Sequence, residues 1–197
     1  VTRRLATAIL ISGRGSNMAA LIEAARPPDF PARVAVVISD RAGAPGLALA
    51  REAGIEAFAI EAKAGKAAFE AALDEALRAR GIELICLAGF MRILSADFVG
   101  RWRALNIHPS LLPDFKGLHT HERALAAGKS EHGCTVHWVT TELDAGEIVA
   151  QARVPVLPGD DPERLAARVL EAEHALYPAA VRTASERLIA AGRGARA

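Results

Sequence analysis

The chain has 197 residues and a mass of 20.8 kDa, with 51% hydrophobic and 24% charged residues, which excludes disorder and fits an ordinary globular domain. Its 24 Lys plus Arg against 23 Asp plus Glu leave a formal charge of +1, with the basic residues scattered along the chain, a pattern that argues against a nucleic-acid binder. No apolar run approaches the roughly 20 residues of a membrane helix, and the opening residues read as a strand and not as a secretory leader, so the expectation is a cytoplasmic protein with no membrane partner. Cys86 and Cys134 sit in apolar surroundings without Cys-x-x-Cys spacing, which predicts two reduced thiols in a reducing compartment.

The first half alternates short β-branched runs with alanine-rich stretches of helical spacing. Ala8-Ile9-Leu10-Ile11 predicts a first strand, a helix follows from about Met18, and Val34-Ala35-Val36-Val37-Ile38 predicts a second strand. Within residues 66–80, Phe69, Leu73 and Leu77 recur every four positions while Glu70, Asp74, Glu75, Arg78 and Arg80 fall elsewhere, which predicts a helix with one buried stripe. Gly81 ends it. Glu83-Leu84-Ile85-Cys86-Leu87-Ala88 then reads as a strand covered on both faces, because continuous apolar runs belong to parallel sheets.

In the second half, Leu105-Asn106-Ile107-His108 predicts a strand end, and residues 134–140 and 147–155 predict two more strands. Asp161-Pro162 opens a mostly helical stretch to about Ala190, with the acid at the cap and proline in the first turn. Residues 109–133 form a long connection holding one short helix candidate, Glu122-Arg123-Ala124-Leu125. Long ordered connections in compact domains are usually functional. With no linker, repeat or low-complexity tract, residues 1–197 read as a single domain with a Rossmann-like half over 1–100 and a second half over 101–197.

Ser12-Gly13-Arg14-Gly15-Ser16-Asn17 lies between the first strand and the first helix. Glycines there permit a tight turn and close ligand approach, and the free N–H groups of a helix start favour an anion, so a phosphate fits. Neither a Walker lysine nor the third glycine of a dinucleotide fingerprint follows, since Met18 occupies that place. A plain glycine turn capped by Ser16 or Asn17 is the structural alternative.

Strand alternation places Asn106 and His108 on one side of the chain, and Pro109 breaks the strand just after them. Two hydrogen-bond donors at a strand's carboxyl end suit an acyl-transfer step, in which charge builds on a carbonyl oxygen. Asp144 in Leu143-Asp144-Ala145-Gly146 would stabilise a protonated His108 if it lay beside it, although Asp and Gly are also ordinary turn residues. His119-Thr120-His121 has no accompanying ligand set, so no metal is expected. The absence of a Gly-x-Ser-x-Gly elbow disfavours a serine nucleophile.

Taken together, these segments resemble the phosphoribosylglycinamide formyltransferase family of folate-dependent enzymes over residues from about 5 to 178. Ser12–Asn17 resembles its ribonucleotide phosphate loop, and Ala88-Gly89-Phe90-Met91-Arg92-Ile93-Leu94 its folate-contacting segment. Asn106-Ile107-His108-Pro109-Ser110-Leu111-Leu112-Pro113 is similar to the signature it shares with methionyl-tRNA formyltransferase and formyltetrahydrofolate hydrolase. Gly117-Leu118-His119-Thr120-His121 and His132-Gly133-Cys134-Thr135-Val136-His137 continue the match. The tRNA enzyme usually carries an extra C-terminal domain and the hydrolase an extra N-terminal one, and the expectation is that this chain has room for neither. Cys134 and Glu147 depart from the family pattern.

The resemblance implies a three-layer α/β/α fold around a mostly parallel seven-stranded sheet. It implies direct transfer of the formyl group of 10-formyltetrahydrofolate to the amine of glycinamide ribonucleotide, with no metal and no covalent enzyme intermediate. Asn106 and protonated His108 would hold the developing oxyanion, with Asp144 raising the histidine pKa. Gly13, Arg14, Gly15, Ser16, Asn17 and Glu173 would bind the ribonucleotide. Lys66, Met91, Arg92, Ile93, Leu94, Asn106 and the loop Thr140, Thr141, Glu142, Leu143 and Asp144 would meet the folate, with Thr135 and His137 as supports. The alternatives are a formyltetrahydrofolate hydrolase or a folate- or nucleotide-binding module without catalysis; homodimer formation is left open.

Overall fold

The computed structural model describes residues 3–194. β1 (Leu5–Ile11) is buried at every position, because it lies inside a seven-stranded sheet with helices on both faces. Alternation along it sends Ile9 and Ile11 to one face, against Met18, Leu21, Leu47 and Tyr177, and Ala8 and Leu10 to the other, against Phe69, Leu73, Leu77 and Phe98. β1 pairs in parallel with β2 (Ala32–Ser39) and β4 (Leu84–Leu87); β3 (Glu56–Ala59) adds to β2 and β5 (Ala104–His108) to β4. β6 (Glu131–Trp138) runs antiparallel to β5, and β7 (Ile148–Pro155) antiparallel to β6, giving the order β3-β2-β1-β4-β5-β6-β7.

Helices α1 (Ser16–Ala24), α2 (Pro45–Glu52) and α6 (Pro162–Gly194) lie on one face of the sheet, and α3 (Lys66–Ala79) and α4 (Ala96–Arg101) on the other; the short α5 (Thr120–Ala126) packs beside β6 and α6. The layered, mostly parallel architecture agrees with the sequence reading. α1 begins two residues before the expected Met18, because Gly15, at φ 80°, supplies the turn that starts it. β6 ends at Trp138 and not at residue 140, since a register shift after Val136 redirects the chain and Trp138 N–H donates to the Glu147 carbonyl at 2.9 Å. Four strands precede residue 90, the number of candidates the sequence offers there, whereas α2 and α4 were not expected, since six to eight helical residues are too few to show a period.

From β1 the chain winds outward through β2 and β3, then returns to β4 on the opposite side of β1. Ligands of open parallel sheets bind at the carboxyl ends of strands beside such a reversal. Two hydrogen bonds stitch the loops there: Ser12 N–H to the Gly89 carbonyl at 3.1 Å, and Met91 N–H to Ser12 Oγ at 2.9 Å. Beneath them, the fully buried Tyr177 of α6 directs its hydroxyl at the carbonyls of Leu87 (2.9 Å) and Leu105 (3.1 Å), joining the helix to β4 and β5.

Candidate active site

Asn106 and His108 project from the carboxyl-terminal half of β5, and Asn106 stands directly opposite His137 of β6. Asn106 Nδ2 lies 3.3 Å from His137 Nε2, while His137 Nδ1 lies 3.0 Å from the Trp138 carbonyl. A carbonyl only accepts, so the network assigns the proton to Nδ1 and leaves Nε2 to accept from the amide. His108 Nε2 donates to the Phe115 carbonyl at 2.9 Å, and its Nδ1 lies 3.4 Å from Asp144 Oδ2. Asp144 Oδ2 also accepts the Gly117 N–H at 2.9 Å, and Oδ1 is 3.6 Å from His137 Nε2. The fold thus gathers Asn106, His108, His137 and Asp144, a juxtaposition that spacing left open.

The surroundings set the protonation of Asp144 and His108. Burial alone would raise the Asp144 pKa, but His137, the Gly117 N–H and His108 more than offset it and hold the carboxyl below its ordinary value. Burial pushes His108 below its ordinary value despite the Phe115 carbonyl and Asp144, which both raise it. The expectation that Asp144 leaves His108 with a raised pKa is therefore corrected: the carboxylate pulls in that direction, and desolvation of a side chain only 7% exposed is the larger effect. At neutral pH a carboxylate faces a neutral imidazole able to take up a proton. Asp144 (φ 48°), Phe115 (φ 54°) and His119 (φ 58°) are the non-glycine residues with left-handed backbone among those described, and all lie on the loops framing this site.

The loop carrying Asp144 is held by close backbone approach. A Cβ placed on Gly146 would lie 1.7 Å from the Trp138 carbonyl oxygen, so only glycine lets the loop close onto β6. Thr135 braces the opposite side. Its fully buried hydroxyl donates to the Ser110 carbonyl (2.7 Å) and accepts from Leu112 N–H (3.0 Å) and Gln151 Nε2 (2.9 Å).

At the other end of the cleft, Gly15 caps α1 without any side-chain cap, so the reading of Ser16 or Asn17 as a cap does not hold. The first N–H groups of α1 therefore face outward, as an anion site needs. Gly13 lies in this loop, and Arg14 and Ser16 are exposed beside it. Asn17 turns inward and donates to Glu173 Oε2 at 2.6 Å, leaving its own buried Oδ1 without a protein partner. Burial raises the Glu173 pKa against that hydrogen bond.

The segment expected to meet folate is mixed in character. Met91 and Ile93 are exposed, as are Leu118 and Leu143, whereas Leu94 is core. Arg92 reaches Asp40 Oδ2 at 3.4 Å and lies over the Phe69 ring. Lys66 is exposed at the start of α3, and Thr140, Thr141 and Glu142 are exposed on the Asp144 loop, where Thr140 Oγ1 donates to the Glu142 carbonyl and Lys116 pairs with Glu142. Sequence reasoning missed the Phe115 carbonyl and Gly117 N–H, because backbone groups leave no residue-type signal. It also missed Gln151, whose signal is an amide inside a mostly apolar strand.

His119 and His121 diverge: His119 is exposed beside Glu122, and His121 packs edge-on against His132 at 5.2 Å. Among the described residues no group of three metal-ligating side chains assembles. Burial pushes the His132 imidazole from 6.5 to about 4, His121 and His108 push the same way, and the Pro109 carbonyl opposes them. The unfolded chain then binds more protons than the folded one between those two values, so stability is lost as pH falls from about 6.5 towards 4. Denaturant midpoints should decline over that window, and less steeply for His132→Gln; an unchanged slope in the variant refutes the assignment.

The formyl transferase family model matches residues 5–181. The chain is 47% identical to phosphoribosylglycinamide formyltransferase of Escherichia coli, over 86% of this chain and 82% of that protein. It is 46% identical to the trifunctional purine biosynthetic protein adenosine-3 of Bos taurus, over 98% of this chain but only 20% of that protein, so it spans about a fifth of the length of that relative. The crystal structure of phosphoribosylglycinamide formyltransferase from Brucella melitensis superposes with a TM-score of 0.90 at 55% identity, covering 93% of this chain and 96% of that one. Glycinamide ribonucleotide transformylase 1 from Symbiobacterium toebii also reaches 0.90, at 48% identity and with 93% and 88% covered. With all of its sheet and every strand-end residue of the cleft inside the matched region, the chain belongs to the formyl transferase family.

Proposed function

We propose that this protein transfers the formyl group of 10-formyltetrahydrofolate to the amine of glycinamide ribonucleotide, as a step of purine biosynthesis. The observation that carries the reading is the group formed by Asn106, His108 and Asp144 at the end of β5, with His137 fixing the amide. The amine attacks the formyl carbon and the carbonyl electron pair moves onto oxygen. Asn106 Nδ2 donates to that oxyanion; the 3.4 Å gap between His108 and Asp144 is too long for a good direct hydrogen bond and leaves the unprotonated Nδ1 edge of His108 free to turn to substrate, where it takes up the proton released by the attacking amine and then, as imidazolium, donates to the oxyanion. His108 holds the proton transiently beside the Asp144 carboxylate. Collapse of the intermediate breaks the bond to the folate nitrogen, which takes up a proton as the amine gives one up.

On this reading the loop Gly13, Arg14, Gly15, Ser16 and Asn17 holds the phosphate, with Glu173 on the ribose side. Lys66, Met91, Arg92, Ile93 and Leu94, with Thr140, Thr141, Glu142 and Leu143, line the folate side. Thr135 and His137 keep the strand ends in register. The exposed apolar side chains of Met91, Ile93 and Leu143 support a site for a flat, partly apolar co-substrate. The enzyme works in the cytoplasm on two small molecules, without a metal, a nucleic acid or a membrane.

The test is turnover of 10-formyltetrahydrofolate with and without glycinamide ribonucleotide, with formate and formylated amine quantified separately. Consumption that requires the ribonucleotide and yields the formylated amine is expected. Formate release independent of the acceptor would establish a hydrolase instead, and binding without turnover a binding module.

A further inference from the structure

Both contacts that orient His108 and Asp144 from outside the sheet come from one short backbone segment. The Phe115 carbonyl accepts from His108 Nε2, and the Gly117 N–H donates to Asp144 Oδ2, each at 2.9 Å. That segment follows an unfavourable path. Phe115 (φ 54°), Gly117 (φ 78°) and His119 (φ 58°) are all left-handed, two of them with a Cβ, a conformation that holds only where surrounding contacts impose it.

The imposing contact comes from α5. Arg123 Nη1 lies 2.6 Å from the Lys116 carbonyl and 3.2 Å from the Leu118 carbonyl, so one guanidinium nitrogen bridges the residues on either side of Gly117. The same guanidinium lies over the Phe115 ring, 5.4 Å from its centroid. The other face of the anchorage is supplied by Lys129, which pairs with Asp114 at 2.8 Å and also approaches the Phe115 ring. A lysine at position 123 would supply charge and donors, but not the planar guanidinium that lies over the Phe115 ring while it bonds the two carbonyls.

We infer that Arg123 is a positioning residue: it staples the left-handed segment 115–119 in the path that offers the Phe115 carbonyl to His108 and the Gly117 N–H to Asp144. The inference rests on the proposed roles of those two side chains for its effect on turnover, but not for its effect on the backbone. Arg123 makes no hydrogen bond to His108 or Asp144, although its charge acts on His108 through space, and its removal leaves Asn106, the phosphate loop and residues 88–94 untouched. The loss should therefore fall on kcat and not on KM.

The experiment compares Arg123→Gln and Arg123→Lys with the parent protein, by steady-state kinetics and by amide hydrogen exchange resolved at Gly117. In Arg123→Gln the Gly117 amide should exchange faster, kcat should fall roughly three- to tenfold, the range in which an exposed charged hydrogen bond shifts a two-state segment, and both KM values should stay within about twofold. Arg123→Lys should fall between Gln and parent. Unchanged Gly117 exchange in Arg123→Gln overturns the staple. Faster exchange with unchanged kcat overturns the positioning role. A fall in kcat accompanied by faster exchange across the whole sheet makes Arg123 merely structural and overturns it too. If the parent protein formylates no ribonucleotide while Gly117 exchange still responds, the staple stands and the proposed function fails.

Discussion

His108→Ala is expected to lower kcat about a hundredfold or more while both KM values stay near those of the parent. The imidazole is the group whose interaction with substrate strengthens as negative charge gathers on the formyl oxygen, so its loss falls on the transition state. Its two nitrogens face the Phe115 carbonyl and Asp144 Oδ2, and a side chain held between two acceptors gains most when it becomes cationic. The Asn106 amide remains in place because it is fixed by His137, which accounts for the residual activity. The pH profile of kcat/KM should follow the same logic. Asp144 lies below the ordinary carboxylate value, so its protonation limits turnover only at low pH, and activity persists into mildly acidic solution from that side. A His108→Ala enzyme with turnover near that of the parent would remove the imidazole from the mechanism.

Gly146→Ala is expected to do comparable damage without removing any reacting group. Its new Cβ would fall 1.7 Å from the Trp138 carbonyl oxygen and 2.7 Å from the carbonyl carbon, and neither backbone atom has a flexible end that can yield. The loop must lift, which breaks the 2.9 Å bond from Trp138 N–H to the Glu147 carbonyl and carries Asp144 away from Gly117 and His108. Overpacking of this kind costs about 1–3 kcal/mol, a decline in Tm of several degrees for a chain of this size. Turnover should drop roughly a hundredfold, since a misplacement of about 1 Å at a reacting group is that costly. Thermal melts and kinetics of the purified variant check both, and a parental Tm with parental kcat would mean that the loop accommodates the methyl group.

The sequence revealed those parts of the molecule whose physics is local. β1, β2, β4 and α3 follow from apolar runs and a four-residue period, because each buries a face large enough to leave a pattern. α4 left none: its six residues are held by their neighbours, through the Ser95 cap and the Glu70 carboxylate that accepts from Ser95. In the site, Asn106 and His108 were legible as a pair from strand alternation and Asp144 as a candidate partner from its chemistry, whereas the place of Asp144 beside His108, and the choice of Glu173, rested on family resemblance. Their neighbourhoods are tertiary facts, Asp144 arriving through a loop that needs Gly146 and Glu173 through a helix that crosses to Asn17. The sign of the His108 shift was misjudged for the same reason, since burial is a property of the folded site and not of a spacing.

The hydrogen bond between Asn17 and Glu173 joins residues 156 positions apart. During synthesis the chain emerges from its amino end, and domains of this kind fold as their parts become available. The strands β1 to β5 can pair as they leave the ribosome, yet Asn17 has no carboxylate to meet, and the Leu87 and Leu105 carbonyls no tyrosine hydroxyl, until α6 has been made. A nascent chain halted before that helix would present a sheet with an unfinished cleft. Vectorial synthesis therefore delays a competent site until the last helix arrives, and a stop codon anywhere upstream of Glu173 is as disabling as one within the catalytic strands.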